Sequence, residues 1–82
     1  MTRQQFAALE RCQEKVARAL RRAGFKVEYR FGPVDARDEE GYEIHVETTG
    51  WEVRRHGALV AHGYIGRPNV GRIITAILQE VE

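Results

Sequence analysis

The stretch GYEIHVETTGWEVRRHGALVAHGYI, Gly41–Ile65, decides the fold. Two dipeptides ending in glycine, Thr49-Gly50 and His56-Gly57, divide it into three runs. Such a dipeptide between alternating runs marks a tight hairpin, because a type I′ turn needs positive φ at both central residues and glycine adopts it freely. Read as two-residue turns, the pair predicts a register. Thr48 faces Trp51, Val46 faces Val53 and Ile44 faces Arg55; in the next hairpin Val53 faces Val60 and Trp51 faces His62. Val46, Val53 and Val60 then form one inward row, with Trp51 and His62 beside it. A slip of one residue would carry all of them to the opposite face.

Working outward, Phe25–Phe31 alternates apolar and polar residues without a break and reads as a further strand, with Phe25, Val27, Tyr29 and Phe31 inward. Gly32-Pro33 ends it. Residues 34–41 then read as a long, mobile acidic connection carrying Asp35, Asp38, Glu39 and Glu40. Before this strand, Thr2 to Gln5 has the form of a capping box. Phe6, Leu9, Val16 and Leu20 follow at helical spacing, and Gln13 interrupts the stripe. Gly24 stands where a C′ residue would end this helix, predicted over residues 3–23. After the meander, Gly66-Arg67-Pro68 opens a last helix, in which Val70, Ile73, Ile74, Ile77, Leu78 and Val81 keep one face apolar. The prediction is a single domain over residues 1–82: a two-layer α+β fold of order α-β-β-β-β-α, whose four-stranded antiparallel meander carries both helices on one face.

Composition narrows the function classes. One Cys among 82 residues allows no internal disulfide and suits a reducing, cytoplasmic setting. No apolar run has the length of a membrane span, and the first residues lack the apolar core of a signal peptide. The net charge of +1 conceals segregation: residues 1–26 carry seven basic side chains against two acidic, and residues 27–53 carry two against eight.

Catalytic chemistry finds little footing. There is no Ser. His45, His56 and His62 lack the short spacing of a zinc pair and point apart in the predicted register, so no metal or other cofactor is expected. Cys12 reads as a small core residue, and a pairing with His62 would need a particular helix crossing. The acidic connection supplies carboxylates, but nothing there would bury or constrain one to raise its pKa. The best candidate binding site for an anion or a partner is Arg67, Asn69, Gly71 and Arg72, where forked donors flank a helix start. The basic face of the first helix (Arg11, Lys15, Arg18, Arg21 and Arg22) and the acidic group Asp35, Asp38, Glu39 and Glu40 are the other surfaces on offer.

The helix, antiparallel strands and final helix resemble the plan of double-stranded-RNA-binding domains. Within it, Leu20-Arg21-Arg22-Ala23-Gly24-Phe25 is similar to the end of the first helix in HicA-type RNA-cleaving toxins, and Arg72–Leu78 to their last helix. Those toxins carry Gly-Ser-His after the first strand, where this chain has Phe31-Gly32-Pro33, so no catalytic His carries over. The resemblance implies a fold plan and no activity.

The expected function is a small non-enzymatic protein-binding module, an adaptor or inhibitor of the kind that accompanies mobile elements. Self-association through the outer sheet face or an exposed edge, giving a homodimer, is one variant. The alternative is an RNA- or DNA-binding domain that holds phosphates through the basic first helix and the start of the last helix.

Overall fold

The computed structural model describes residues 2–30 and 32–81, apart from the side chains of Gln5, Phe6 and Leu9. The elements run α1 (Arg3–Arg22), β1 (Lys26–Glu28), β2 (Val34–Arg37), β3 (Tyr42–Val46), β4 (Gly50–Arg55), β5 (Ala58–Tyr64) and α2 (Val70–Leu78). The strands form one antiparallel sheet in chain order, β1-β2-β3-β4-β5. This is the predicted α+β meander with one strand more: five, where the pattern predicted four.

The additional strand is β2, inside the stretch that reads as a mobile acidic connection. Val34 and Ala36 are buried while Asp35 and Arg37 face outward. Period two is present, but it spans four residues with charges beside it, too short to stand out from a loop. The remaining connection is ordered. Asp38 Oδ1 accepts from the backbone N–H of Glu40 at 3.0 Å and of Tyr42 at 2.9 Å, and the N–H of Asp38 donates to Tyr42 O at 3.1 Å. An Asp side chain that bonds the backbone ahead of it is a standard way to build a tight turn.

Helix α1 ends as predicted. Phe25 N–H donates to Leu20 O at 3.1 Å and Gly24 N–H to Arg21 O at 3.0 Å, the paired bonds of a Schellman cap with Gly24 at C′. Pro68 lies ahead of α2; Asn69 is its N-cap, with Oδ1 accepting from Arg72 N–H at 3.1 Å. On α2, Ile73 and Ile77 are buried, and Val70, Ile74 and Leu78, with Val81 beyond the helix, pack against the same cluster. The core joins them to Val16, Leu20, Val34, Ile44, Val46 and Val53. Fully burying each such side chain contributes roughly 1.5–3 kcal/mol. Phe6, Leu9 and Phe31, predicted to face inward, and the Gln5 half of the capping box fall outside the described residues. Strand β1 is shorter than its alternation predicts, and Tyr29 beyond it donates its hydroxyl to Glu10 O on α1 at 3.3 Å.

The two hairpins depart from the predicted register in different ways. The first turns one residue early, at Thr48-Thr49: Glu47 N–H donates to Gly50 O at 2.8 Å, and Val46 faces Trp51, Ile44 faces Val53 and Tyr42 faces Arg55. Each partner moves by two residues, so every side chain keeps its predicted face. The second hairpin does turn at His56-Gly57, with φ of +51° and +84°, as a type I′ turn requires. Arg54 faces Leu59 as predicted, but a β-bulge between Val53 and Arg54 leaves Val60 unpaired and sets Val53 opposite Ala61. Beyond the bulge the faces exchange. Val60 leaves the inward row and is 46% exposed, His62 turns outward opposite Glu52, and Ala61 turns inward.

Candidate binding edge and its basic end

Helix α1 packs on β1, β2 and α2, and α2 reaches β4. Neither covers β5, the sheet's last and longest strand, with seven residues. None of those seven residues is buried, and none is Asp, Glu, Lys or Arg. The large hydrophobic residues exposed among the described residues are Leu59 at 49%, Val60 at 46% and Tyr64 at 92%, all on β5. Just past the strand, Ile65 N–H donates to Thr49 O at 3.0 Å. Antiparallel alternation carries that direction to Gly63 and Ala61, so the N–H and C=O groups of His62 and Tyr64 point to the open side. Natural edges are blunted with charges, proline or short length. Here only the bulge at Val60 does so.

At its C-terminal end the edge runs into an open cavity of about 670 Å3 lined by Trp51, Tyr64, Ile65, Gly66, Arg67, Asn69, Arg72, Ile73 and Ala76. Three of the four predicted binding residues, Arg67, Asn69 and Arg72, therefore meet in one place. Gly71 does not line it, and a Cβ there would touch only Asn69 Oδ1, at 3.6 Å, so no close approach demands glycine. Among the described residues, neither Arg67 nor Arg72 forms an ion pair. Trp51 and Tyr64 were not legible as site residues. The available signal was the absence of charge from Ala58 to Tyr64, which reads equally well as a buried strand.

The outer sheet face is charged, and part of it pairs within itself. Across the strands run Glu28, Asp35, His45, Glu52 and His62 in one row, and Lys26, Arg37, Glu43, Arg54 and Leu59 in the next. His45 is held from both sides: Nδ1 lies 2.6 Å from Asp35 Oδ1, and Nε2 lies 3.0 Å from Glu47 Oε1. The bond to Asp35, then that to Glu47, raises its pKa above the ordinary histidine value. Beside them Glu52 is bonded to Arg54 at 3.2 Å. A shallow concavity of about 440 Å3 covers part of this face.

The remaining predicted surfaces separate. Arg11, Lys15, Arg18, Arg21 and Arg22 are exposed on α1, and Arg18 is paired with Glu14 at 2.6 Å. None of them lines the cavity of Arg67 and Arg72. The acidic group divides as well: Asp35 binds His45, Asp38 builds its turn, and Glu39 and Glu40 are exposed. Cys12 is buried in the core, where desolvation pushes its thiol pKa up and Lys15 only partly opposes the shift. His62 is on the outer face, so it does not join Cys12. Among the described residues, no three His, Cys, Asp or Glu side chains are placed to hold a metal ion, and no helix is long and apolar enough to cross a membrane. No protein-family model matches the chain, nor does any curated protein or solved structure.

Proposed function

We propose that this protein is a non-enzymatic protein-binding module that takes up an extended segment of its partner along the free edge of β5. The observation that carries this reading is the state of that strand: longest in the sheet, uncharged, with no buried residue, and bearing Leu59, Val60 and Tyr64 exposed. Strand addition uses main-chain hydrogen bonds for affinity and side-chain contacts for specificity. Outward N–H and C=O groups at His62 and Tyr64 supply the first, and the exposed apolar side chains supply the second. The outer face is the weaker candidate because Asp35, His45, Glu47, Glu52 and Arg54 on it already bond one another.

The test is selection of displayed random peptides on the wild-type protein and on Leu59→Lys/Val60→Lys, which plants two charges at half-exposed positions of the edge strand, with circular dichroism confirming that the variant folds. Peptides rich in β-branched residues should be enriched on the wild type and lost on the variant. Equal enrichment on both proteins would overturn the reading.

One observation favours a second reading. Trp51, Tyr64, Arg67 and Arg72 line one cavity, a combination that could stack a base and hold a phosphate. Anisotropy of labelled duplex and single-stranded RNA and DNA at two salt concentrations separates the two. Steeply salt-dependent binding that survives the edge variant but fails in Arg67→Ala/Arg72→Ala would replace protein binding with nucleic-acid binding.

A further inference from the structure

We infer that the segment docking on β5 runs antiparallel to it, is apolar along its length, and carries carboxylates at its N-terminal end that enter the cavity of Arg67 and Arg72. This rests on the proposed strand addition and specifies the chemistry of the partner. Every pairing in the sheet is antiparallel. A strand added in the same sense begins beside Tyr64, where β5 ends, and leaves beside Ala58. At its beginning it meets Tyr64, Arg67 and Arg72, which share the cavity with Trp51. The Asn69 side chain already takes the N–H of Arg72, so the two guanidinium groups are the cavity's charged donors. Each can grip a carboxylate through two parallel bonds. Along its middle the added strand passes Val60 and the uncharged remainder of β5, which rewards apolar residues.

Charge complementarity separates this occupant from a second copy of the chain. In an antiparallel pairing of β5 with itself, the Ala58 end of one copy lies beside the Tyr64 end of the other. That brings the His56-Gly57 turn of one copy toward Arg67 and Arg72 of its mate, with no acidic group on that turn or on either β5. Self-pairing thus offers Arg67 and Arg72 no carboxylate, whereas an acidic-ended partner supplies one.

Three labelled nine-residue peptides with one Thr/Val alternating core test the inference: a Glu pair at the N-terminal end, a Glu pair at the C-terminal end, or a Lys pair at the N-terminal end. Anisotropy is read on the wild type, Arg67→Glu/Arg72→Glu and Val60→Lys, with circular dichroism confirming the fold and light scattering giving the mass. The N-terminal Glu peptide should bind about tenfold more tightly than the other two at low salt, with the gap narrowing as salt rises. The charge-swapped variant should favour the Lys peptide, and Val60→Lys should weaken all three. Equal binding of the three peptides, weakened by Val60→Lys, would leave strand addition standing and overturn the acidic partner. A wild-type dimer that dissociates in Val60→Lys and binds no peptide would assign the edge to a second copy. Peptide binding unaffected by Val60→Lys would overturn the inference together with the docking mode beneath it.

Discussion

The side-chain amide of Gln13, on α1, donates a hydrogen bond of 3.1 Å to the backbone carbonyl of Val46, at the end of β3. Gln13 is buried, and the same Nε2 reaches Gly32 O at 3.4 Å, in the connection from β1 to β2. The polar residue that breaks the apolar stripe of α1 is thus a tie between helix and sheet. A buried amide is tolerated only where it is bonded, and here its donor group is.

Replacing Gln13 by Met keeps length and volume but removes the donor. The expected loss is about 1–2 kcal/mol, the cost of leaving a buried carbonyl short of its partner. Equilibrium urea unfolding measures it. A variant as stable as the wild type would show that the tie contributes nothing.

His45 predicts a pH dependence. Its pKa is raised in the folded state by Asp35 and Glu47, so protonated His45 binds the fold more strongly than the neutral form does. Stability from this cluster is therefore fully present below the unfolded-state pKa near 6.5 and is lost as pH rises through the higher folded value. The side chains are 35%, 60% and 57% exposed for His45, Asp35 and Glu47, so solvent screening holds the contribution to about 0.5 kcal/mol. The stability gap between wild type and His45→Gln should shrink from pH 6 to pH 9. A gap that widens over this range would reverse the assignment.

Gly63 faces Trp51 across the β4–β5 pair, and a Cβ on Gly63 would stand 2.6 Å from Trp51 Cζ2 and 2.8 Å from Nε1. No side chain fits there unless the indole moves. Gly63→Ala should cost about 1–3 kcal/mol by overpacking. As the chain has a single Trp, its fluorescence reports the displacement directly; an unchanged emission maximum with full stability would place the indole elsewhere.

Val60 distinguishes the bulged register from the regular one. In a regular hairpin Val60 would continue the inward row of Val53, and Lys there would cost several kcal/mol. At 46% exposure, outside the core cluster, Val60→Lys should change stability by no more than about 0.5 kcal/mol. Thermal unfolding of the single variant decides between them.

Local patterns alone were enough to determine much of this protein. The apolar repeats of both helices, Gly24 closing the first, the His56-Gly57 turn and the alternation of β3 and β4 each rest on residues within a few positions of one another, where backbone sterics and side-chain period act directly. They sufficed for the α+β class and for the face each β3 and β4 residue takes. The strand β2, the bulge at Val60 and the two bonds of Gln13 depend on elements far apart in the chain. Val34 and Ala36 are a strand because β1 and β3 flank them, and Val60 is expelled because β4 offers it no partner. The open edge of β5 belongs to this second group. An uncharged run reads the same whether a neighbour covers it or not, and only the packing of α1 and α2 over β1, β2 and β4 left β5 open, with Tyr64 beside Arg67 and Arg72.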